Sequence, residues 1–195
     1  MPKVGMEAIR KKQLIEATIS AIHERGYADT TIRLISQKAG VSTGIVHHYF
    51  KDKDDLLRAT MQSMLSDLRL SVLKHLEQAT TPEDKIKALI SAYLDAHLFE
   101  PETVSAWLAF WAHVPHSEEM LRLQHIYEKR QMSTFKHIFK MILPSKDVEN
   151  AALGIVALID GLWVRTSLQD HTSGREKARE VAFDYFEMLL YKANK

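Results

Sequence analysis

The sequence predicts an all-α protein of about nine helices. Only 7 of the 195 residues are glycine and 5 are proline, so few residues interrupt long helices. Hydrophobic residues make up 46% of the chain and charged residues 26%, a balance too apolar for a disordered protein. Apolar side chains recur at helical spacing, and no segment reads convincingly as a β-strand. These observations favour a helical protein that is long enough to bury a core.

Capping and breaking residues set the expected helix boundaries. The first helix covers residues 6–25 and ends at Gly26. Thr31 caps a short second helix, Gly40 follows where the chain needs a positive φ, and Ser42 or Thr43 caps a short third helix. Prolines and changes of periodicity delimit the later helices, which are expected at about 53–78, 81–98, 100–113, 117–143, 146–168 and 174–192.

Residues 30–57 predict a helix-turn-helix. Two short helices joined by a glycine-containing turn form this motif, and its second helix fits the major groove of DNA. The apolar residues expected to pack inward are Ile32, Ile35, Ala39, Ile45 and Phe50. An ordinary helix pair is the alternative, but it leaves a polar surface without a role, namely Ser42, Thr43, Gly44, His47 and His48.

We expect two domains, a helix-turn-helix DNA-binding domain at residues 1–52 and a ligand-binding and dimerisation domain at 53–195, and the charge balance changes near their boundary. Residues 1–60 hold 10 Lys and Arg against 7 Asp and Glu, whereas the rest of the chain holds 16 against 18. The helix at 53–78 crosses this change without a break, so we expect it to be a rigid connector. Such modest charge does not establish nucleic-acid binding. Affinity must come from locally placed cations and backbone amides, reinforced by dimerisation.

The N-terminal motifs resemble those of the TetR family of bacterial repressors. The similarity is carried by MPKVGMEAIRKKQLIEAT at the start and by KAGVSTGIVHHYFKDKDDLL at residues 38–57. Within the family the chain is similar to the choline-responsive repressors of glycine betaine synthesis, through AWLAFWAH at 106–113 and ALIDGLWVR at 157–165. The resemblance covers nearly the whole chain. It implies a helical DNA-binding head, a helical body and a repressor released by a small molecule.

The resemblance also implies which residues touch DNA. Thr31 and Tyr49 are expected to donate to phosphates, and Lys53 to anchor another phosphate. Arg33 and Lys51 are further candidates, for which a plain solvated charge is the alternative. The recognition helix is expected to meet base edges and the groove wall with Ser42, Thr43, Gly44, His47 and His48. Two such heads in a dimer would read a palindromic operator in double-stranded DNA.

The helix at 146–168 is apolar on most of its circumference, so it needs cover on several sides. The core of a single chain would supply that cover, and so would a second copy. Ala151, Ala152 and Gly154 are small enough to permit close approach of another helix. In TetR-like proteins the last two helices pair with their copies as a four-helix bundle, so the resemblance implies a homodimer.

The body contains aromatic residues that can form a cage for a quaternary ammonium ion through cation–π attraction. Asp160, an acid in an apolar run, or Asp95 would neutralise the cation. The alternatives are ordinary core rings and a structural buried acid. The residues alone indicate a small apolar or cationic effector, and the resemblance implies choline. The candidate ligand-binding residues are Tyr93, Trp107, Phe110, Trp111, Tyr127, Asp160 and Trp163.

An enzyme is the main alternative function. The chain has no glycine-rich phosphate loop, HExxH or GxSxG motif, so we expect no catalytic residues and no cofactor. One S-x-x-K match, Ser133–Lys136, is expected by chance among 13 Ser and 16 Lys. His113 and His116 flank a proline and could hold a metal, although exposed loop histidines are the simpler interpretation and we expect no metal site. A purely structural helical adaptor would leave the polar surface at 42–48 unexplained.

Composition also indicates the cellular compartment of the protein. The chain has no cysteine, which excludes a disulfide framework and a cysteine-ligated metal site. Neither an N-terminal signal segment nor an apolar run long enough to span a bilayer is evident. We therefore expect a soluble cytoplasmic protein.

Overall fold

Nine α-helices build the part of the chain that the computed structural model describes, which is residues 6–169 and 174–193. These residues contain no β-strand, which confirms the predicted fold class. None of the helices within them is long and apolar enough to cross a membrane. Two 3-10 helices, Ala96–Phe99 and Val114–His116, lie between α-helices. The α-helices are α1 (Met6–Asp29), α2 (Ile32–Lys38), α3 (Thr43–Tyr49), α4 (Lys53–Leu76), α5 (Pro82–Tyr93), α6 (Pro101–His113), α7 (Glu118–Phe139), α8 (Val148–Ser167) and α9 (Gly174–Ala193).

The helix-turn-helix is formed by α2 and α3. The backbone N–H of Leu34 donates to Thr31 Oγ1 at 3.1 Å, so Thr31 caps α2 as predicted. Gly40 has a φ of 65°, the left-handed conformation that favours glycine, at the turn between the helices. Ser42 is the residue before α3, but its side chain makes no capping hydrogen bond. Local sequence signals therefore fix this turn.

Gly26 breaks α1 without ending it. Its φ of 72° and ψ of 164° are not helical, but helical structure resumes and reaches Asp29, so the prediction that the helix stops at Gly26 is wrong by one short turn. The hydroxyl of Thr30 donates to the Gly26 carbonyl at 2.7 Å, and the Thr30 N–H donates to the Tyr27 carbonyl at 3.2 Å. These bonds satisfy carbonyl groups that the helix end would leave unpaired.

A single apolar cluster holds α1 to α4 together around the helix-turn-helix. Phe50 is 5% exposed and Ile35 is fully buried, in agreement with prediction. The prediction that Ile45 packs inward is wrong. It is 37% exposed because the adjacent Val46, about 100° further round α3, takes the buried position. The cluster consists of Leu14, Ala17, Ala21, Ile35, Val46, Phe50 and Leu56.

Two helices end earlier than their periodicity predicts. Helix α5 ends at Tyr93 instead of about residue 98, because Asp95 Oδ1 accepts the His97 N–H at 3.3 Å and the chain enters a 3-10 helix. Helix α7 ends at Phe139 instead of about residue 143. Beyond it, the backbone N–H groups of Met141 and Ile142 donate to carbonyls three residues earlier, so the chain tightens before Pro144.

The chain divides into two compact units. Unit 1 comprises Met1–Ser66 and Glu100–Gln124, and unit 2 comprises Asp67–Phe99 and His125–Lys195. Unit 1 thus contains α6 as well as the helix-turn-helix, and α1 and α6 pack extensively against each other. This division by packing differs from the functional boundary expected between residues 52 and 53, which stays a prediction.

In unit 2, α8 and α9 pack closely. A Cβ on Gly154 would lie 2.2 Å from the Tyr185 hydroxyl oxygen, so a glycine is needed where these helices meet. Gly154 therefore permits a close approach, as its size predicts, but to a helix of the same chain. The face of α8 that remains exposed carries Leu153, Ala157 and Gly161.

Candidate functional site

The surface of α3 is polar and accessible. Tyr49 is partly buried, and its ring meets that of His48 edge-on with centroids 4.9 Å apart. Of the atoms in the described residues, only Ser42 Oγ, at 3.8 Å, lies near the position of a Cβ on Gly44, so the start of α3 leaves room for a close approach. The residues predicted to meet base edges and the groove wall are all exposed, namely Ser42, Thr43, Gly44, His47 and His48.

Thr31 and Arg33 lie at the start of α2, and both are exposed. The Thr31 oxygen accepts a hydrogen bond from Leu34, which leaves the hydroxyl hydrogen able to donate to a phosphate. Arg33 forms no ion pair with any residue of 6–169 or 174–193. Both predicted phosphate contacts are therefore accessible from solvent.

Lys53 makes contacts within unit 1 that the sequence did not predict. Its ammonium group donates to the Tyr27 carbonyl at 3.0 Å, approaches the Ala28 carbonyl at 3.5 Å and lies 4.2 Å from the centroid of the Tyr27 ring. The Tyr27 hydroxyl donates to Asp54, and burial together with this bond raises the pKa of Tyr27. Lys53 thus joins the start of α4 to the end of α1, and its role as a phosphate anchor stays a prediction.

Asp160 is an acid that no cation of the described residues neutralises. It is partly buried on α8, and none of the Lys, Arg or His residues within 6–169 and 174–193 forms an ion pair with it. Burial raises the pKa of Asp160, a hydrogen-bonding interaction with the Gln131 side chain lowers it, and the negative charge of Glu128 raises it, so that the pKa lies at about 6. A carboxyl group in this environment is costly to ionise, so a bound cation would stabilise the carboxylate form.

The two tyrosines predicted to bind the ligand lie near enough to Asp160 to interact electrostatically with it. Burial raises the pKa of both Tyr93 and Tyr127, and the Asp160 carboxylate adds to that increase. Tyr93 is 9% exposed and stacks on Phe135, with centroids 6.1 Å apart. The structure therefore brings three predicted ligand-binding residues together within unit 2.

Trp163 lies one helical turn after Asp160 on α8. It is 6% exposed, and its indole Nε1 donates to the Leu98 carbonyl at 3.1 Å. Its ring lies 6.5 Å from that of Phe99. These contacts join α8 to the 3-10 helix Ala96–Phe99, a connection that periodicity could not reveal.

The remaining predicted aromatic residues lie on α6 and belong to unit 1. The Trp107 ring lies 6.2 Å from both the Phe110 ring and the Trp111 ring. Trp107 is 5% exposed and Phe110 is 1% exposed. Ordinary core residues are buried to the same extent, so burial does not distinguish a core role from a ligand-binding role. Their part in ligand binding stays a prediction.

Asp95, the alternative counter-charge, already has partners. Its Oδ1 lies 2.9 Å from His97 Nδ1 and its Oδ2 lies 3.4 Å from His75 Nε2. Burial would raise the pKa of Asp95, but the hydrogen bonds from His97 and the charges of both histidines outweigh it and lower the pKa. Asp160 is therefore the better candidate for a cationic ligand.

The residues weighed for metal binding or catalysis have structural contacts. His113 Nδ1 lies 2.9 Å from the Ala109 carbonyl oxygen, and its ring meets the Tyr27 ring at 3.9 Å. Lys136 pairs with Glu149 at 2.5 Å. Among residues 6–169 and 174–193, no group of three or more His, Asp or Glu could hold a metal ion.

Two residues that the sequence did not single out belong to these surfaces. Ile45 is exposed on α3, among the residues predicted to read DNA. Gln131 is 1% exposed, and neither Nε2 nor Oε1 makes a hydrogen bond of ordinary length and angle with a described residue. The spacing of Tyr127, Gln131 and Phe135, each four residues apart on α7, is the signal that could have found Gln131.

Two family models match the chain. Residues 14–60 match the model of the tetR family of bacterial regulatory proteins. Residues 82–191, more than half of the chain, match the model of the C-terminal domain of BetI-type transcriptional repressors. The first match contains the helix-turn-helix, and the second contains Asp160 and both tyrosines near it.

Curated relatives are similar over almost their whole length. The HTH-type transcriptional regulator BetI of Pectobacterium carotovorum is 42% identical over 192 residues, which are 97% of this chain and 98% of the relative. The regulator of the same name from Escherichia coli is 40% identical over 192 residues, with the same shares of the two chains. Because these relatives are transcriptional regulators, the alternative of a small helical enzyme is wrong.

Solved structures agree on the fold. A TetR transcription regulator from Haloarcula marismortui has a TM-score of 0.83 at 26% identity, over 93% of this chain and 98% of that one. A protein from Saccharomonospora viridis, crystallised in complex with choline, has a TM-score of 0.81 at 19% identity, over 92% and 96% of the two chains. At 19% identity, the similarity to this second protein supports the fold alone and not a shared ligand. With its helix-turn-helix, its matching family models and these relatives, the chain belongs to the TetR family as a BetI-type, DNA-binding transcriptional repressor.

Proposed function

We propose that this repressor responds to choline and controls genes for choline uptake and glycine betaine synthesis. The observation that carries the proposal is Asp160, a partly buried acid that has no Lys, Arg or His partner among the described residues. The choline complex of the structural neighbour from Saccharomonospora viridis and the match to BetI-type repressors support the same effector.

The chemistry around Asp160 suits a quaternary ammonium ion. Such a cation cannot donate a classical N–H hydrogen bond, so a protein holds it with charge and aromatic faces. Asp160 supplies the charge. Tyr93 and Tyr127 supply aromatic rings, and both lie near enough to Asp160 for its charge to raise the pKa of their hydroxyl groups. A neutral apolar effector, the other ligand class left open by the sequence, would leave the Asp160 carboxylate uncompensated. The cationic effector is therefore favoured, and Trp163, on the same helix as Asp160, is a further candidate for its cage.

On the DNA side, α3 is the proposed recognition helix. Thr43, His47 and His48 are exposed and would meet base edges or the groove wall, with Ser42 and Gly44 where the helix enters the groove. Thr31, Arg33, Tyr49 and Lys53 are the proposed phosphate contacts, which fix the register of the helix and carry no sequence information of their own.

The active form is proposed to be a homodimer through α8 and α9, bound to a palindromic operator. The exposed face of α8 carries Leu153, which is 57% exposed, and α9 carries Met188, which is 67% exposed. Apolar side chains exposed on two neighbouring helices suit an interface between copies. A twofold dimer then presents two recognition helices to two inverted half-sites.

Thermodynamic linkage sets the size of the response. Choline weakens operator binding only if it binds the free repressor more tightly than the operator-bound form, and by the same factor. A coupling of about 1–3 kcal/mol, which is about 5–150-fold in affinity, is typical of such systems.

The test measures both halves of this linkage with the full-length protein. Titration calorimetry at about pH 7.5 should detect choline binding to the free repressor. Mobility shifts on DNA from upstream of the neighbouring genes should show a palindromic site that choline weakens. The absence of calorimetric choline binding at millimolar concentrations would overturn the choline assignment and leave the repressor function intact. Protection of a single asymmetric half-site would overturn the dimer.

A further inference from the structure

Gln131 is a buried amide whose hydrogen-bonding capacity the described residues do not fill. It is 1% exposed on α7, and neither its Nε2 nor its Oε1 has a hydrogen-bond partner of ordinary geometry among them. Buried polar groups in proteins are nearly always paired, because an unpaired one loses its bonds to water without replacement. An amide whose donor and acceptor both lack an ordinary hydrogen bond among the described residues is able to bind a partner of another kind, such as a ligand.

The position of Gln131 identifies what that partner is. Tyr127 lies one helical turn before it and Phe135 one turn after it, and Phe135 stacks on Tyr93. The amide also interacts with the Asp160 carboxylate as a hydrogen-bond donor, in a geometry looser than that of an ordinary hydrogen bond, and so lowers the pKa of that acid. Gln131 therefore lies among the residues proposed above to hold the effector.

We propose that Gln131 hydrogen-bonds the hydroxyl group of the effector, so that this site selects a quaternary ammonium alcohol over a quaternary ammonium ion that lacks the hydroxyl. The proposal rests on the proposed function, because it assigns a second polar group to the same site. It divides recognition between two side chains. Asp160 neutralises the cationic end of choline, and Gln131 binds the alcohol end.

An amide suits a hydroxyl group because each has a donor and an acceptor. The ligand O–H donates to Oε1, and the ligand oxygen accepts from Nε2, so both orphaned atoms of Gln131 are satisfied. Carboxylate and aromatic rings alone recognise any cation of suitable size. A site that contains a buried hydrogen-bonding group instead rejects ligands that leave the group unpaired.

The same pair of side chains discriminates against glycine betaine. That molecule keeps the quaternary ammonium group but carries a carboxylate in place of the alcohol. The carboxylate cannot donate to Gln131 Oε1, and it is repelled by the like charge of Asp160. A repressor built in this way senses the alcohol and ignores the corresponding carboxylate.

The experiment compares two ligands and two proteins by titration calorimetry. The ligands are choline chloride and tetramethylammonium chloride, and the proteins are the full-length wild type and Gln131→Met, which keeps the length of the side chain without its amide. We expect the wild type to bind choline about tenfold more tightly than tetramethylammonium. Gln131→Met should bind choline about tenfold more weakly and tetramethylammonium within about twofold of the wild type.

Two further variants keep the result interpretable. Gln62→Met, at an exposed position of α4, is the matched control and should leave both affinities unchanged. Gln131→Asn keeps an amide but withdraws it by one carbon, so it should also lose the preference for choline if Gln131→Met does not fold. Thermal unfolding without ligand should show Gln131→Met at least as stable as the wild type, because the substitution removes two unpaired polar groups.

The outcomes separate this proposal from the one on which it rests. Equal weakening of both ligands in Gln131→Met would mean that the amide only orients Asp160, and would overturn the hydroxyl contact. A wild type that binds both ligands equally would overturn it as well. A wild type that binds neither ligand would instead overturn the choline function, and the assignment of Gln131 with it.

Discussion

The ammonium group of Lys53 donates a hydrogen bond to the carbonyl oxygen of Tyr27 at 3.0 Å, so the residue that begins α4 also closes α1. The same ammonium lies over the Tyr27 ring, whose hydroxyl is bound by Asp54. Helix ends leave carbonyl groups unpaired, and a lysine near them both donates and complements the helix dipole. A lysine in this position holds α4 against the end of α1 whether or not it also meets DNA.

Replacing Lys53 should therefore affect stability and DNA binding separately. We expect Lys53→Met to lower the free energy of unfolding by about 1 kcal/mol, because it removes one charged donor from the end of α1. If Lys53 also anchors a phosphate, the slope of log K against log salt should become shallower by about one unit for each phosphate that the variant no longer neutralises.

Lys74→Met is the matched control for Lys53, since Lys74 lies on the same helix, is exposed and is not among the residues predicted to touch DNA. Chemical denaturation and salt-dependent fluorescence anisotropy measure the two effects. A Lys53→Met protein with reduced stability and a full salt slope would show that Lys53 closes α1 and does not anchor a phosphate.

The exposed side chain of Ile45 leads to a prediction about operator sequence. An aliphatic group on a recognition helix in the major groove contacts the methyl group of thymine, the one apolar group that the groove presents. We expect Ile45→Ala to reduce the preference for thymine at one position of each half-site by about 1 kcal/mol, roughly fivefold. Binding-site selection by sequencing measures this directly.

Tyr49→Phe provides the contrast for Ile45→Ala. Removal of a phosphate interaction should weaken binding to all sequences alike, with an unchanged selected motif. Val46→Ala adds a second comparison, because Val46 is fully buried and its truncation should reduce the stability of the head. An Ile45→Ala motif identical to that of the wild type would contradict base contact by Ile45.

Local signals explain why the helix-turn-helix was predictable and why its inner face was not. The cap at Thr31 and the positive φ at Gly40 depend on a few neighbouring residues, so the sequence alone identifies them. Helix α3 has only seven residues, and with Ile45 and Val46 adjacent, periodicity cannot decide which one faces inward. Packing of α3 against the apolar cluster decides it in favour of Val46.

The ligand site likewise contains one residue that the sequence reveals and one that only the packing reveals. Asp160 is an acid within an apolar run, and that contrast is visible in sequence. Gln131 lies on a helix with many polar residues, so nothing local distinguishes it from a solvated side chain. Only the packing of α7 in unit 2 buries Gln131 and leaves its amide without a partner among the described residues. Likewise, the grouping of α6 with α1 in unit 1 depends on contacts between residues far apart in the chain.

The dimer interface is tested by changing one exposed leucine of α8. Leu153→Arg places a charge in the proposed interface, and we expect the protein to become monomeric at micromolar concentration. Operator affinity should then fall by about 100-fold or more, because two half-sites are no longer bound by linked heads. Sedimentation and mobility shift measure the two consequences.

Leu70→Arg is the control for Leu153→Arg, since Leu70 lies on α4 and is 61% exposed compared with 57% for Leu153. It should leave both the dimer and operator binding unchanged. A Leu153→Arg protein that sediments as a dimer would exclude this face of α8 from the interface.

The raised pKa of Asp160 predicts how stability without ligand depends on pH. An acid whose pKa is higher in the folded state binds its proton more tightly there, so its contribution to stability is present at low pH and lost as pH rises. With a pKa of about 6 in place of 3.8, the loss occurs between about pH 4 and pH 6. Asp160→Asn cannot ionise, so relative to the wild type it should gain up to about 3 kcal/mol between pH 4 and pH 7.5. Denaturation of both proteins at these two pH values checks the difference.

Choline binding should strengthen as pH rises, whereas the contribution of Asp160 to stability weakens. The ligand needs the ionised carboxylate, so protons compete with choline below about pH 6, and at pH 5 binding should be about tenfold weaker than at pH 7.5. The groups that influence Asp160 directly are Glu128 and Gln131, and Tyr93 and Tyr127 stay neutral throughout this range because their pKa values are raised. Asp160 is therefore the group of this site that titrates between pH 5 and 7. In Asp160→Asn, choline binding should be weak and independent of pH, and the protein should still bind its operator. A wild type with equal choline affinity at pH 5 and pH 7.5 would mean that Asp160 does not pair with the ligand.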